Sequence, residues 1–297
     1  MSNPIQTEQL KVELQGANGL INRVRNEYLP DGEELSREAW HHVSFAGKNL
    51  TARDVHENFN LYLSELIDTE YRLYLSYEEE CISRGIIEYT LNPKIKNEFP
   101  NVYKLIRRAL KVLKQPSGRE VRKLAEITSH LRPLYKLVEQ SFGQGRMSRA
   151  GASSQYHLKA LLEIAGYARE FAMQQILNGT VDFLFPSREV WAQDKRRCVI
   201  VSMKRTLRER YKQVFEELEI TGGITVYLIV TETFEESKKD ITNPKVDKLN
   251  AQNIYLVVRD EIKTQRFVSK ENVISFSSFI QNELPSKRTQ WSRYLKK

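Results

Sequence analysis

Cysteine is scarce, with Cys81 and Cys198 the only two in 297 residues. Two cysteines cannot build a disulfide framework. With the five histidines scattered as His41-His42, His56, His130 and His157, no four-ligand zinc spacing can be assembled either. A reducing cytoplasm is the expected compartment. No run of about 18 apolar residues occurs, so no membrane span is expected. The opening MSNPIQTEQLKVELQ lacks the apolar stretch of a signal peptide. Phosphate-binding P-loops, dinucleotide fingerprints and nucleophile elbows are absent, which removes the common nucleotide-binding and acyl-transfer classes. There are no internal repeats and no low-complexity segments.

What is present suits a folded chain. Hydrophobic residues make up 40% and charged residues 28%, with a mean hydropathy of -0.52. The length allows one large domain or two small ones. Lys and Arg number 46 against 38 Asp and Glu, a net charge of +8. That charge is uneven. Asp31–Glu88 holds 13 acids and 5 bases, so the rest carries +16. It gathers at Lys104–Lys123, at Asp194–Lys212 and in the tail from Lys287 to Lys297. A basic run is often only a solvated face. Three in one chain favour a phosphate backbone as partner.

Apolar positions Phe59, Leu63, Leu66, Ile67, Tyr71 and Tyr74 recur at three or four, which predicts a long amphipathic helix. Breaks are expected at Leu29-Pro30-Asp31-Gly32 and near Asn92-Pro93. Helices follow over 99–114 and 118–141, with Ser117 as N-cap of the second. A glycine-rich basic segment over 141–154 leads into a helix to about Asn178. From Gly179 the texture changes to buried strands over 181–185, 198–203, 224–230 and 254–258. A helix is expected over 206–219 and a closing helix over 273–284. This alternation predicts an α/β fold.

One constellation could carry chemistry. Asp182 lies on a short strand that stops at Pro186, and Lys204 ends the next strand 22 residues later. Two adjacent strands can bring both to one sheet edge. A carboxylate there can hold Mg²⁺, which prefers oxygen ligands. A lysine there can orient the attacking water and offset charge on a phosphate. An acid and a lysine at strand ends also describe two solvated side chains. The next residues, Arg208-Glu209-Arg210, point about 100° apart on a helix, so they cannot all serve one packing face. Arg can bridge guanine O6 and N7, and Glu can accept from cytosine N4. The set can read G·C pairs.

The segment Val199–Tyr211, with Asp182 upstream and Glu217 downstream, resembles the type II restriction endonucleases that cut CCNGG- and CCGG-like sites. The likeness covers about residues 146–220. It implies the PD-(D/E)XK nuclease fold: an α/β core of mixed sheet flanked by helices, here with a helical N-terminal region. The expected division is 1–95 for the helical region, for dimerisation or DNA contacts, and 96–297 for the catalytic domain. The usual acid before the lysine is replaced by Ser202, and the resemblance moves that carboxylate to Glu217 on the following helix. Ser148-Arg149-Ala150-Gly151 resembles a segment opening the helix before the Asp strand. A further family glutamate is matched here by Gln155, with His157 and Glu163 nearby.

The resemblance therefore implies Asp182, Lys204, Glu217 and Gln155 as catalytic, with Asp182 and Glu217 holding Mg²⁺. Arg208, Glu209, Arg210 and Arg149 are the implied DNA contacts. The implied enzyme is a homodimer that cuts double-stranded DNA at a near-palindromic CCNGG-type core, extended in a site such as TCCNGGA. It leaves 5′ overhangs and 5′-phosphates, and a cognate methyltransferase is implied in function. Flipped bases could stack on Trp40, Tyr62, Tyr71, Tyr74 or Tyr77. Two other classes compete: a structure-specific nuclease of the same superfamily, which needs no Arg-Glu-Arg reader, and a DNA-binding protein without catalysis, which needs no Lys204.

Overall fold

The structure is a computed structural model describing residues 4–116, 119–173, 181–207 and 224–292, with side chains throughout these except at 4–7 and 144–153. It divides into two compact units. One comprises residues 1–35 and 71–149, the other 36–70 and 150–297.

The second unit is built on runs of β-branched and aromatic residues. Phe183–Phe185 (β2), Val199–Lys204 (β3), Val226–Val230 (β4) and Ile254–Val258 (β5) form adjacent strands of one sheet. Two-residue β1 (Ala172–Met173) and three-residue β6 (Val273–Ser275) flank them, giving six strands in chain order. β1, β2 and β3 pair antiparallel, and β3 to β6 pair parallel. The sheet is mixed, as the resemblance implies.

Almost every side chain of β2 to β5 is buried, because both faces are covered. Period-two alternation sorts them. Phe183, Phe185, Val199, Val201, Met203, Tyr227, Ile229 and Val257 enter one core. There they meet Phe59, Leu63, Leu66 and Ile67 of the helix Ala52–Glu80, together with Leu158, Leu161 and Leu162. Leu184, Ile200, Val226, Leu228, Val230, Ile254, Leu256 and Val258 enter the other. That core is closed by Val246 and Leu249 of the helix Asn243–Ala251 and Ile262 of the helix Asp260–Arg266.

The first unit is helical. Its core joins Leu14, Leu20, Val24, Cys81, Ile86, Val102, Ile106, Leu134 and Phe142. Gln15 Nε2 donates to Leu137 O at 3.0 Å, and Glu13 accepts from the Asn101 and Val102 backbone amides at the start of the helix Pro100–Leu113.

Three local expectations are corrected. The glycine-rich segment over 141–154 is not a break: one helix runs from Glu120 to Leu162. Each helical glycine costs only about 1 kcal/mol, and fully buried Phe142 and Leu158 on either side hold the helix. The helix also ends earlier than expected. After Leu162 a π turn containing Gly166 at φ +92 stops it, and β1 follows. Val273 starts a strand, not a helix, and helical turns begin at Phe276. Ser117, the expected N-cap, lies outside the described residues. Among the described residues no helix is long and apolar enough to cross a membrane.

Candidate active site

The register of β2 on β3 explains how Asp182 and Lys204 meet. Phe183 pairs with Val201 and Phe185 with Val199, antiparallel. Extending that register by one residue sets Asp182 across from Ser202. Because β2 runs backward, its start lies at the same sheet edge as the end of β3. Asp182, Ser202 and Lys204 also share one parity. Lys204 Nζ stands 3.8 Å from Asp182 Oδ2.

Asp182 is buried and held on both oxygens. Met203 N donates to Oδ2 at 2.6 Å, and Gln155 Nε2 donates to Oδ1 at 2.6 Å. Each oxygen retains acceptor capacity beyond these bonds. Lys204 is the outlet of the cluster, its side chain 15% exposed against 7% for that of Asp182. An ammonium at a partly open edge beside an anchored carboxylate can serve a charged substrate. Gln155, expected from the resemblance alone, touches Asp182 directly.

Two residues along the helix, His157 is wholly buried in a second cluster. Its Nδ1 is 3.1 Å from Ser36 Oγ, and its Nε2 is 2.7 Å from Glu70 Oε2. An imidazole can donate at one nitrogen and accept at the other, which suits a carboxylate on one side and a hydroxyl on the other. Nothing in the sequence linked these three residues, which come from different helices. Glu163 is exposed and pairs with Lys159 at 3.9 Å on the surface, away from this chemistry.

Beyond Lys204 the chain is held by acids that sequence reading did not single out. Leu207 N donates to Glu232 Oε1 at 2.7 Å, and Arg205 Nη2 donates to Glu236 Oε1 at 3.3 Å. Burial pushes the Glu232 carboxyl up to about 7, against the lowering effect of the Leu207 amide. One signal was readable: Thr233-x-x-Glu236 matches a capping box, and the box forms.

Arg208, Glu209, Arg210 and Glu217 lie outside the described residues, as does the side chain of Arg149. Among the described residues no group of three His, Cys, Asp or Glu gathers as a metal site. The oxygen chemistry of Asp182 fits a hard cation, with the second expected carboxylate, Glu217, beyond the described residues. Of the stacking candidates, Tyr62 and Tyr74 are core residues, and Tyr62 lies 4.4 Å from Phe45 ring to ring. Trp40 packs edge-on against the same Phe45 at 5.7 Å.

Comparisons with known proteins bear on the family and the fold. The family model described as EcoRII C terminal matches residues 125–280, just over half of the chain. The type II restriction enzyme SsoII of Shigella sonnei is 27% identical over 157 residues, 50% of this chain and 49% of that protein. The match thus spans about half the length of the curated relative. Metal-depleted Ecl18kI in complex with uncleaved, modified DNA has a TM-score of 0.72 at 20% identity, covering 98% of this chain and 86% of that one. A restriction endonuclease PspGI-substrate DNA complex has a TM-score of 0.52 at 16% identity, covering 90% and 96%. These likenesses show a shared fold.

Proposed function

We infer that this chain, which belongs to the EcoRII C-terminal family, is a type II restriction endonuclease acting on double-stranded DNA. The observation that carries the reading is Lys204 Nζ at 3.8 Å from an Asp182 anchored by Gln155 and the Met203 amide, at a partly open sheet edge. SsoII carries the type II restriction enzyme name, and the Ecl18kI and PspGI structures hold DNA.

Asp182 and Glu217 would hold Mg²⁺, whose contribution when bound is Lewis-acid charge beside the scissile phosphate. Gln155 keeps the Asp182 carboxylate oriented. Lys204 orients the attacking water and offsets negative charge on the phosphate. Water adds to phosphorus in line, the bond to the 3′ oxygen breaks, and a 3′-hydroxyl and a 5′-phosphate result. Arg208, Glu209 and Arg210 read C·G pairs in the major groove, and Arg149 contacts the phosphate backbone. A homodimer matches a two-fold site of CCNGG type, cut to leave 5′ overhangs. Such an enzyme requires a methyltransferase that protects the same site.

The test is to incubate phage DNA with the protein and Mg²⁺ and to sequence the ends. Discrete fragments sharing a sequence are expected. Absence of cleavage with every divalent metal tried would overturn the reading.

A further inference from the structure

Three residues, Arg205, Thr206 and Leu207, separate Lys204 from Arg208. Two of the three are held by acids that follow the neighbouring strand. β3 and β4 run parallel with Lys204 opposite Val230. The rung beyond is Thr231 N donating to Lys204 O at 3.1 Å. Past it, the side chain of Glu232 reaches across, and Oε1 accepts from Leu207 N at 2.7 Å. Glu236, fixed by its capping box with Thr233, accepts from Arg205. Untethered, three residues of chain could place Leu207 anywhere within about 10 Å of Lys204. A hydrogen-bond acceptor on a packed, buried side chain narrows that range far more than water would.

A carboxylate is a costly group at this position. Glu232 is fully buried, and its Oε2 has no hydrogen-bond partner among the described residues. A buried acid in that state opposes folding unless its acceptor is needed.

We propose that Glu232 is a positioning residue for DNA recognition: its carboxyl fixes the backbone at Leu207 relative to Lys204, at the residue that directly precedes the expected reader Arg208-Glu209-Arg210 in sequence. The recognition role rests on the endonuclease reading; the tether does not. Glu232 acts through Leu207 and touches no substrate.

Two variants of the full chain separate the roles. Glu232→Gln keeps an acceptor, whereas Glu232→Met fills the same volume without one. Amide hydrogen exchange without DNA reads the tether. The parent Leu207 amide should be protected like those of β3. In the Met variant it should exchange roughly tenfold faster or more, with β3 unchanged, and the Gln variant should match the parent. An unprotected Leu207 amide in the parent, or parental protection in the Met variant, overturns the tether. The parent measurement decides even if the Met variant fails to fold.

Cleavage competition between the cognate duplex and single-base-pair substitutes reads the consequence. The Met variant should lose about tenfold of discrimination, equivalent to about 1.4 kcal/mol, while kcat on saturating cognate duplex stays near parental. The Gln variant should restore the discrimination. Equal discrimination in all three proteins, or a loss shared by Met and Gln, overturns the positioning role. A parent that discriminates among no duplexes overturns the endonuclease reading and the recognition role with it, and the exchange result still decides the tether.

Discussion

Gln155 and His157 sit two residues apart on one helix, and each anchors a buried polar cluster of a different kind. The Gln155 cluster leads through Asp182 to Lys204, whose side chain is partly open. The His157 cluster closes on itself, with Ser36 and Glu70 both buried. A hydroxyl, an imidazole and a carboxylate in a row have the composition of a nucleophilic triad, yet no substrate can reach them. The amide, carboxylate and ammonium have a plainer composition and the better claim to chemistry. Access to an outlet, not residue type, is what separates the two clusters.

That contrast can be broken most sharply at Lys204. Lys204→Ala should lower cleavage by about 1,000-fold or more and retain specific binding in a gel-shift assay; retained cutting would remove Lys204 from the mechanism. His157→Ala should do the reverse. It deprives buried Glu70 of its imidazole partner, so urea unfolding should show a loss of roughly 2–4 kcal/mol. Intact stability would show that the closed cluster does not hold the fold.

Glu232 sharpens the comparison through pH. Its carboxyl titrates at about 7, raised chiefly by burial and further by Asp240 and Glu236, against Leu207 N and Lys245. The folded chain therefore keeps a proton that the unfolded chain releases near pH 4.3. Stability from this group is present at low pH and is lost as pH rises through about 7, by at most about 4 kcal/mol. Glu232→Gln should flatten that decline between pH 5 and 8 in thermal melts, and an identical slope in parent and variant would count against a titrating Glu232. Arg208→Ala and Arg210→Ala should each cost about 1–3 kcal/mol of base discrimination, measured with substituted duplexes. The smallest effect is expected at exposed Glu163, where replacement by Ala should change stability by at most about 0.5 kcal/mol and leave cleavage unchanged.

The central strands were legible because short runs rich in β-branched residues, such as Val199–Val201 and Val226–Val230, suit a buried strand better than a helix. Asp182 and Lys204 were legible as the polar ends of such runs. β1 was not, since two residues carry no period. The glycines of 141–154 set the expected helix end at 141 because local propensity speaks before tertiary burial, and the buried flanks outweigh it. Val273–Ser275 merges without a break into helical turns, so its strand character was hidden. Ser36, Glu70 and His157 left no trace, being joined only by the packing of three helices.

Strand parity, finally, acts as a ruler for the chemistry. Phe183 and Phe185 are keyed into one core and Leu184 into the other, so β2 can sit on β3 in only one phase. An odd slip would turn the Asp182 carboxylate to the opposite face from Lys204. The length of chain between Pro186 and Cys198 does not enter that condition. Insertions are therefore expected to be tolerated in this excursion and not in the three residues after Asp182, so three apolar side chains protect the spacing of Asp182 and Lys204 without touching it.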